Sequence, residues 1–133
     1  MKRIVFDLDG TLTFDEPGKS YATRRPRPEM RELLLSYREQ GFTIIIASSR
    51  NMRTHGNSVG VINAKTLPVM FAWLDEHQIP YDEIHIGKPW CGDDGFYVDD
   101  KAIRPSELRS MSYEQIRALL EREAEHAREE VGG

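Results

Sequence analysis

Four segments of this chain carry side chains that could do chemistry: Asp7-Leu8-Asp9-Gly10, Ser48-Ser49-Arg50, Gly87-Lys88-Pro89 and Asp99-Asp100. Residues two apart on an extended chain point the same way, so Asp7 and Asp9 stand roughly 7 Å apart at ~3.3 Å per residue. They can serve one substrate without sharing one proton, one attacking as a nucleophile while the other carries protons. Asp99 and Asp100 enlarge the set to four carboxylates, which repel one another unless a cation sits among them. Oxygen-only ligands without His or Cys select a hard ion, and Mg²⁺ is the expected cofactor, with Asp7, Asp9, Asp99 and Asp100 as candidate metal residues. Lys88 adds fixed positive charge and Ser48 a hydroxyl. With Ser49 and the backbone N–H groups after Asp9, they suit the oxygens of a phosphoryl group. Gly10 belongs to the same candidate phosphate-binding set, because backbone must approach the ligand closely there.

Each feature has a plain structural alternative. Acidic pairs are common at turns, Ser48 can be a turn residue, Lys88 can be a solvated cation, and Asp99-Asp100 can cap a helix. The elements that must position them decide the matter. Lys2 to Phe6 reads as a buried strand ending at Asp7, and Phe42 to Ala47, with the core Ile44-Ile45-Ile46, as a strand covered on both faces. Glu83 to Ile86 and Phe96-Tyr97-Val98 read as a third and a fourth strand. Between them, Met30, Leu33, Leu34 and Tyr37 mark one amphipathic helix, opened near Pro28 and closed by Gly41. Leu67, Met70, Phe71 and Leu74 mark a second, with Thr66 as its N-cap and Trp73 packing beside it. Residues 13–27 read as a polar flap and Ser48 to Ala64 as a loop. Pro105 to Ser110 reads as one or two helical turns. Ser112 with Gln115 opens a last helix in capping-box fashion.

The order β-α-β-α-β-β-α predicts an α/β fold: a single Rossmann-like three-layer domain over residues 1–133, with a mostly parallel sheet. Its core spans about residues 1–120, and 121–133 is a charged helix end and tail. Residues 87–95 are too few for a full crossover helix, so an abbreviated connection is expected there. In open α/β sheets ligands bind beyond the carboxyl ends of the strands. All four chemical groups fall at that edge, one per strand, and this joint placement is the strongest signal in the chain.

The 133 residues suit one domain, and 39% hydrophobic with 30% charged residues is a soluble globular balance. Lys plus Arg total 18 against 22 Asp plus Glu, a net charge of −4 that disfavours nucleic acid as a partner. The small basic cluster Arg24-Arg25-Pro26-Arg27 could grip a phosphate, but a solvated loop is the favoured reading. One cysteine, Cys91, excludes an intrachain disulfide and a thiolate zinc site. It is no tyrosine-phosphatase-like nucleophile either, since that pattern needs an Arg where Tyr97 stands. The apolar run Ile4-Val5-Phe6 is far too short for a signal peptide, and no stretch reaches the length of a membrane span. A cytoplasmic protein without membrane association is expected.

The ordered set Asp7-Leu8-Asp9-Gly10-Thr11-Leu12-Thr13, Ser48, Lys88 and Asp99-Asp100 resembles the haloacid dehalogenase (HAD) superfamily, with its four signature motifs in order over roughly residues 1–104. Within it, Arg50-Asn51-Met52-Arg53, Ile86-Gly87-Lys88-Pro89-Trp90 and Tyr97 to Pro105 are similar to small capless phosphatases associated with capsule and polysaccharide biosynthesis. The resemblance implies Asp7 as the nucleophile that becomes an aspartyl-phosphate and Asp9 as general acid, then base. It implies Ser48 and Lys88 on the phosphoryl group, and Mg²⁺ held by Asp7, the Asp9 carbonyl and Asp99, with Asp100 acting through water. The acid at position 9 fits phosphatases and phosphotransferases, and dehalogenases lack it. Ser48 stands where Thr is commoner, and the segment between Lys88 and Asp99 is compressed.

No insertion is long enough for a cap domain, so substrate selection falls to residues 11–27 and 49–65, to a neighbouring subunit in a homo-oligomer, or to a protein substrate. Arg50, Asn51 and Arg53, just past strand two, are candidate substrate contacts. The expected function is a Mg-dependent phosphomonoester hydrolase for a small phosphorylated metabolite, a sugar phosphate of surface-polysaccharide synthesis. A phosphotransferase or phosphomutase could use the same residues. A phospho-acceptor signalling domain is disfavoured, because receivers carry their phosphorylated Asp after the third strand, where this chain has Gly87-Lys88-Pro89.

Overall fold

Ile44, Ile45 and Ile46 lie at the middle of the sheet and are all buried, as a strand hydrogen-bonded on both edges and covered on both faces requires. The computed structural model describes residues 1–132, with side chains through 128. Its three parallel strands are β1 (Arg3–Phe6), β2 (Thr43–Ala47) and β3 (Glu83–His85), in the order β1-β2-β3. Ile4 faces Ile44 and Phe6 faces Ile46 across the first ladder, and Ile46 faces Ile84 across the second. This register aligns the carboxyl ends of the strands.

The chain divides into two compact units, Met1–Trp90 and Cys91–Gly133. The first holds the sheet with α1 (Pro28–Glu39), α2 (Val59–Lys65) and α3 (Leu67–Glu76). Met30, Leu34 and Tyr37 of α1 are buried, as are Met70, Trp73 and Leu74 of α3. Phe71, expected in the buried stripe, is instead partly exposed and stacks on Tyr81 with ring centroids 6.0 Å apart. α2 corrects the expected loop from Ser48 to Ala64. It is a seven-residue helix whose N-cap Ser58 accepts the Val61 N–H at 3.3 Å, and its Ile62 is buried. Gly60 and the brevity of the segment hide it from periodicity. Packing against α3 supplies what propensity does not.

The second unit holds α4 (Pro105–Ser110) and α5 (Tyr113–Gly132). The expected capping box is formed: Ser112 N–H donates to Gln115 Oε1 at 2.8 Å, and Gln115 N–H to Ser112 Oγ at 3.2 Å. The helix continues through the charged run expected as a helix end and tail. Gly133, and the side chains beyond 128, lie outside the described residues.

The expected fourth strand is not formed. Residues 96–98 make no β-strand, and Phe96 and Val98 are 79% and 89% exposed. A strand exists only as part of a ladder, and three residues of β-favouring type do not create one by themselves. Among the described residues the sheet therefore has three strands. The architecture is α/β with a parallel, Rossmann-like sheet and no cap domain.

Candidate active site

The turn after β1 is built on one carbonyl. Leu8 C=O accepts N–H groups from Thr11, Leu12 and Thr13 at 3.3, 2.9 and 3.1 Å, which curls the chain so that Asp7 and Asp9 lie at its rim. Gly10 takes φ +80°, a left-handed conformation that costs glycine little. Its N–H donates to the buried Thr13 Oγ1 at 3.2 Å. The apolar partners of the motif, Leu8 and Leu12, are fully buried and anchor the turn.

Residues 13–27 form an ordered flap. Thr13 and Pro26 bridge in antiparallel fashion, Phe14 N–H donates to Arg25 C=O at 2.9 Å, and Arg27 N–H donates to Leu12 C=O at 2.8 Å. It includes a 3-10 turn at Tyr21–Thr23, and Trp73 Nε1 of α3 donates to Arg24 C=O at 2.8 Å. The basic cluster is thereby divided. Arg25 is exposed and pairs with Glu16 at 3.1 Å, Arg27 Nη1 donates to Gly10 C=O at 3.0 Å, and Arg24 turns inward.

Ser48, at the end of β2, is buried. Its N–H donates to His85 C=O at 2.9 Å, its C=O accepts the Lys88 N–H at 3.2 Å, and its Oγ accepts the Arg50 N–H at 3.0 Å. The end of β2 thus carries the segment holding Lys88. Gly87 makes that path feasible: it has φ +82°, and a Cβ there would lie 3.0 Å from Val59 Cγ2. Lys88 Nζ reaches Asp7 Oδ1 at 3.8 Å, and Thr11 Oγ1 donates to Asp7 Oδ2 at 3.4 Å. Burial pushes the Asp7 carboxyl above its ordinary range. Lys88, the Leu8 N–H and Thr11 pull against that rise and Asp9 adds to it, but burial prevails.

Asp9 has a different environment. Arg50 grips it in fork fashion, Nη2 to Oδ1 at 2.8 Å and Nε to Oδ2 at 3.1 Å, from a side chain only 1% exposed. Arg24 Nη1 adds a third contact to Oδ1 at 3.4 Å. The Tyr21 ring lies 4.1 Å from the Arg50 guanidinium carbon and 4.5 Å from that of Arg24.

The structure therefore brings Asp7, Asp9, Gly10, Ser48 and Lys88 to one edge. Ser49 is half-buried, its C=O accepting the Met52 N–H at 3.0 Å. Of the candidate substrate contacts, Arg50 holds Asp9. Asn51 occupies a left-handed turn at φ 63°, and the Arg53 guanidinium lies 5.2 Å from the Trp90 ring. Asp99 and Asp100 belong to the second unit, where both are exposed and Asp99 Oδ1 accepts the Lys101 N–H at 2.8 Å. Among the described residues, no three His, Cys, Asp or Glu side chains gather as one metal-binding group. Sequence reasoning missed the Asp9 clamp. Arg24 stood within a basic cluster read as solvated, and Tyr21 carries no sequence signal at all.

Comparison with known proteins bears on the family and the fold. A family model described as haloacid dehalogenase-like hydrolase matches residues 4–73, more than half of the chain. The crystal structure of a structural-genomics target from Vibrio cholerae is 53% identical, with a TM-score of 0.89 over 92% of this chain and 99% of that one. A chain of the Pnkp1/Rnl/Hen1 complex shares the fold at 22% identity and TM-score 0.51, over 82% of this chain and 34% of that one. A D,D-heptose 1,7-bisphosphate phosphatase from B. bronchiseptica, crystallised with magnesium and phosphate, matches at 23% identity and TM-score 0.46 over 72% of this chain and 54% of that one. No curated protein sequence matches. No helix among the described residues is long and apolar enough to cross a membrane. With its motif on β1, its parallel sheet and this family match, the chain belongs to the haloacid dehalogenase-like hydrolases.

Proposed function

We propose that this hydrolase cleaves phosphomonoesters through an aspartyl-phosphate on Asp7, with magnesium as cofactor and a phosphorylated sugar or related metabolite as substrate. One observation carries the reading. Asp7 is a partly buried carboxylate facing the Lys88 ammonium at 3.8 Å, beside the buried Ser48 and the Asp9 carboxylate. An Asp7 oxygen attacks phosphorus, the ester P–O bond breaks, and Asp9 supplies the proton the departing oxygen needs. Water then attacks the phosphorus, Asp9 takes its proton, the bond to Asp7 breaks and phosphate leaves. Lys88 and the Ser48 hydroxyl hold the phosphoryl oxygens.

The donor set fits magnesium. It is all oxygen, and a partly buried Asp7 anion with one ammonium nearby has use for further positive charge. The Asp7 carboxylate and the Asp9 carbonyl would hold the ion, with Asp99 and Asp100 carried over from the motif resemblance as further donors. Bound there, it would neutralise phosphoryl oxygens. Substrate selection falls to residues 11–27 and 49–65. The test uses para-nitrophenyl phosphate and a panel of sugar phosphates. EDTA abolishes turnover and Mg²⁺ restores it, and rapid-quench mass spectrometry finds the phosphoryl group on the peptide from Ile4 to Lys19. Full turnover in chelator, or no covalent phosphoryl on that peptide, would overturn the mechanism.

A further inference from the structure

The Asp9 clamp leaves one Arg50 donor over. Arg50 points Nε and Nη2 at the two carboxylate oxygens, and Arg24 adds a third N–H to Oδ1. The remaining Arg50 nitrogen, Nη1, is buried and meets no acceptor. A buried guanidinium nitrogen without an acceptor is unusual in a folded chain and calls for a physical account. What covers Arg50 is Tyr21, 4.1 Å from its guanidinium carbon, and Tyr21 and Arg24 both ride on the flap. The whole cluster lies against Asp9, next to the nucleophile Asp7.

We propose that Arg50, Arg24 and Tyr21 form a subsite for a second anionic group on the substrate. The preferred esters then carry a further phosphate or a carboxylate beyond the phosphoryl group that is cleaved. Its oxygens supply the acceptor that Arg50 Nη1 lacks and draw Arg24 away from Asp9 Oδ1. Two guanidinium planes suit such an oxyanion in fork geometry, which ammonium groups do not reproduce. Rotation of the Tyr21 and Arg24 side chains uncovers Arg50, while Trp73 keeps the Arg24 backbone in place. This inference rests on the hydrolase reading above for the identity of the cleaved group.

Paired ligands test it. In turnover, fructose 1,6-bisphosphate is compared with fructose 6-phosphate, and 3-phosphoglycerate with glycerol 3-phosphate, so that the two arms separate a phosphate from a carboxylate. In binding, calorimetry compares butane-1,4-bisphosphonate with butylphosphonate, neither of which is hydrolysed. The wild-type protein favours the doubly anionic member of at least one turnover pair, and the bisphosphonate, by about tenfold or more, the size of one charge-assisted contact. Arg24→Gln and Tyr21→Ala each collapse that ratio toward one. Arg25→Gln removes the same charge from the neighbouring residue, whose side chain pairs with Glu16 instead, and keeps the ratio. Equal preference within every wild-type pair overturns the subsite while leaving the phosphatase reading intact. An equal loss of preference in Arg25→Gln overturns it as well, since that outcome reports a diffuse field. Tight, Arg24-dependent bisphosphonate binding by a protein that hydrolyses none of the esters upholds the subsite and rejects the hydrolase reading.

Discussion

Residues 3–9 and residues 96–100 follow one pattern, β-branched and aromatic side chains leading into a pair of acids, and they meet different fates. In the first, Arg3–Phe6 forms a strand on β2, Phe6 and Leu8 are buried, and both acids are held by named partners. In the second, no strand forms, Phe96 and Val98 face solvent, and Asp99 makes a local turn with the Lys101 N–H. The difference teaches that a strand is a relation between segments. Ile4 and Phe6 have Ile44 and Ile46 across the ladder, and that pairing converts propensity into structure. It also ranks the acids. Burial raises the Asp7 carboxyl and two guanidinium groups hold Asp9, whereas Asp99 and Asp100 are exposed.

The sharpest break in that comparison comes from the first region. Asp7→Asn keeps the shape and removes the nucleophile, so turnover vanishes and no phosphoenzyme forms, as rapid-quench mass spectrometry would show. Near-normal turnover would end the assignment. Asp9→Asn costs less, about 10²–10⁴-fold, the usual worth of a positioned acid and base. An activated ester such as para-nitrophenyl phosphate suffers less in the first step, because its departing oxygen hardly needs a proton. In the second region, Asp100→Asn raises the magnesium concentration needed for half-maximal rate by about 10–100-fold, with the rate recovered at saturation. A magnesium titration that superimposes on wild type would remove Asp100 from the site.

Stability should divide the same two regions. Ile45→Ala empties a buried central position and costs about 2–5 kcal/mol, whereas Val98→Ala, at an exposed one, changes stability by about 0.5 kcal/mol or less. Urea unfolding measures both, and a comparable loss at Val98 would show that the segment is packed in solution.

The smallest effects lie in pH dependence, where the signs oppose. Glu16 accepts the Arg25 N–H and pairs with Lys19 and Arg25, which holds its carboxyl at about 2 instead of 4.5. A lowered folded value means that its contribution is full above about 4.5 and disappears as pH falls toward about 2. The protection factor of the Arg25 amide, taken relative to its intrinsic exchange rate, should therefore fall across that window, and Glu16→Gln should flatten the response. Asp7 runs the other way. Its carboxyl is raised, so its ionised form opposes folding once pH exceeds the folded value, and Asp7→Asn should raise the metal-free Tm at neutral pH. An unchanged or lower Tm would mean that Asp7 ionises without cost.

How much was legible in the chain follows from the range of each interaction. The β1 turn, the buried β2 triplet, the helix starting at Pro28 and the Ser112–Gln115 cap are set by near neighbours, through strand alternation, capping and turn chemistry. The placement of Asp7, Asp9, Ser48 and Lys88 at one edge follows from strand ends in a parallel sheet, and the sequence by itself determined it. Tertiary structure alone decided the rest. Whether 96–98 pairs, whether 59–65 coils onto α3, and which guanidinium meets Asp9 all depend on segments far apart in the chain. Arg50 lies 41 residues from Asp9, and Trp73 lies 49 residues from the Arg24 carbonyl that it fixes. Contacts at that separation leave no periodicity or spacing in a single sequence. Burial is what turns Arg24 from one of three similar arginines into a partner of the candidate catalytic acid.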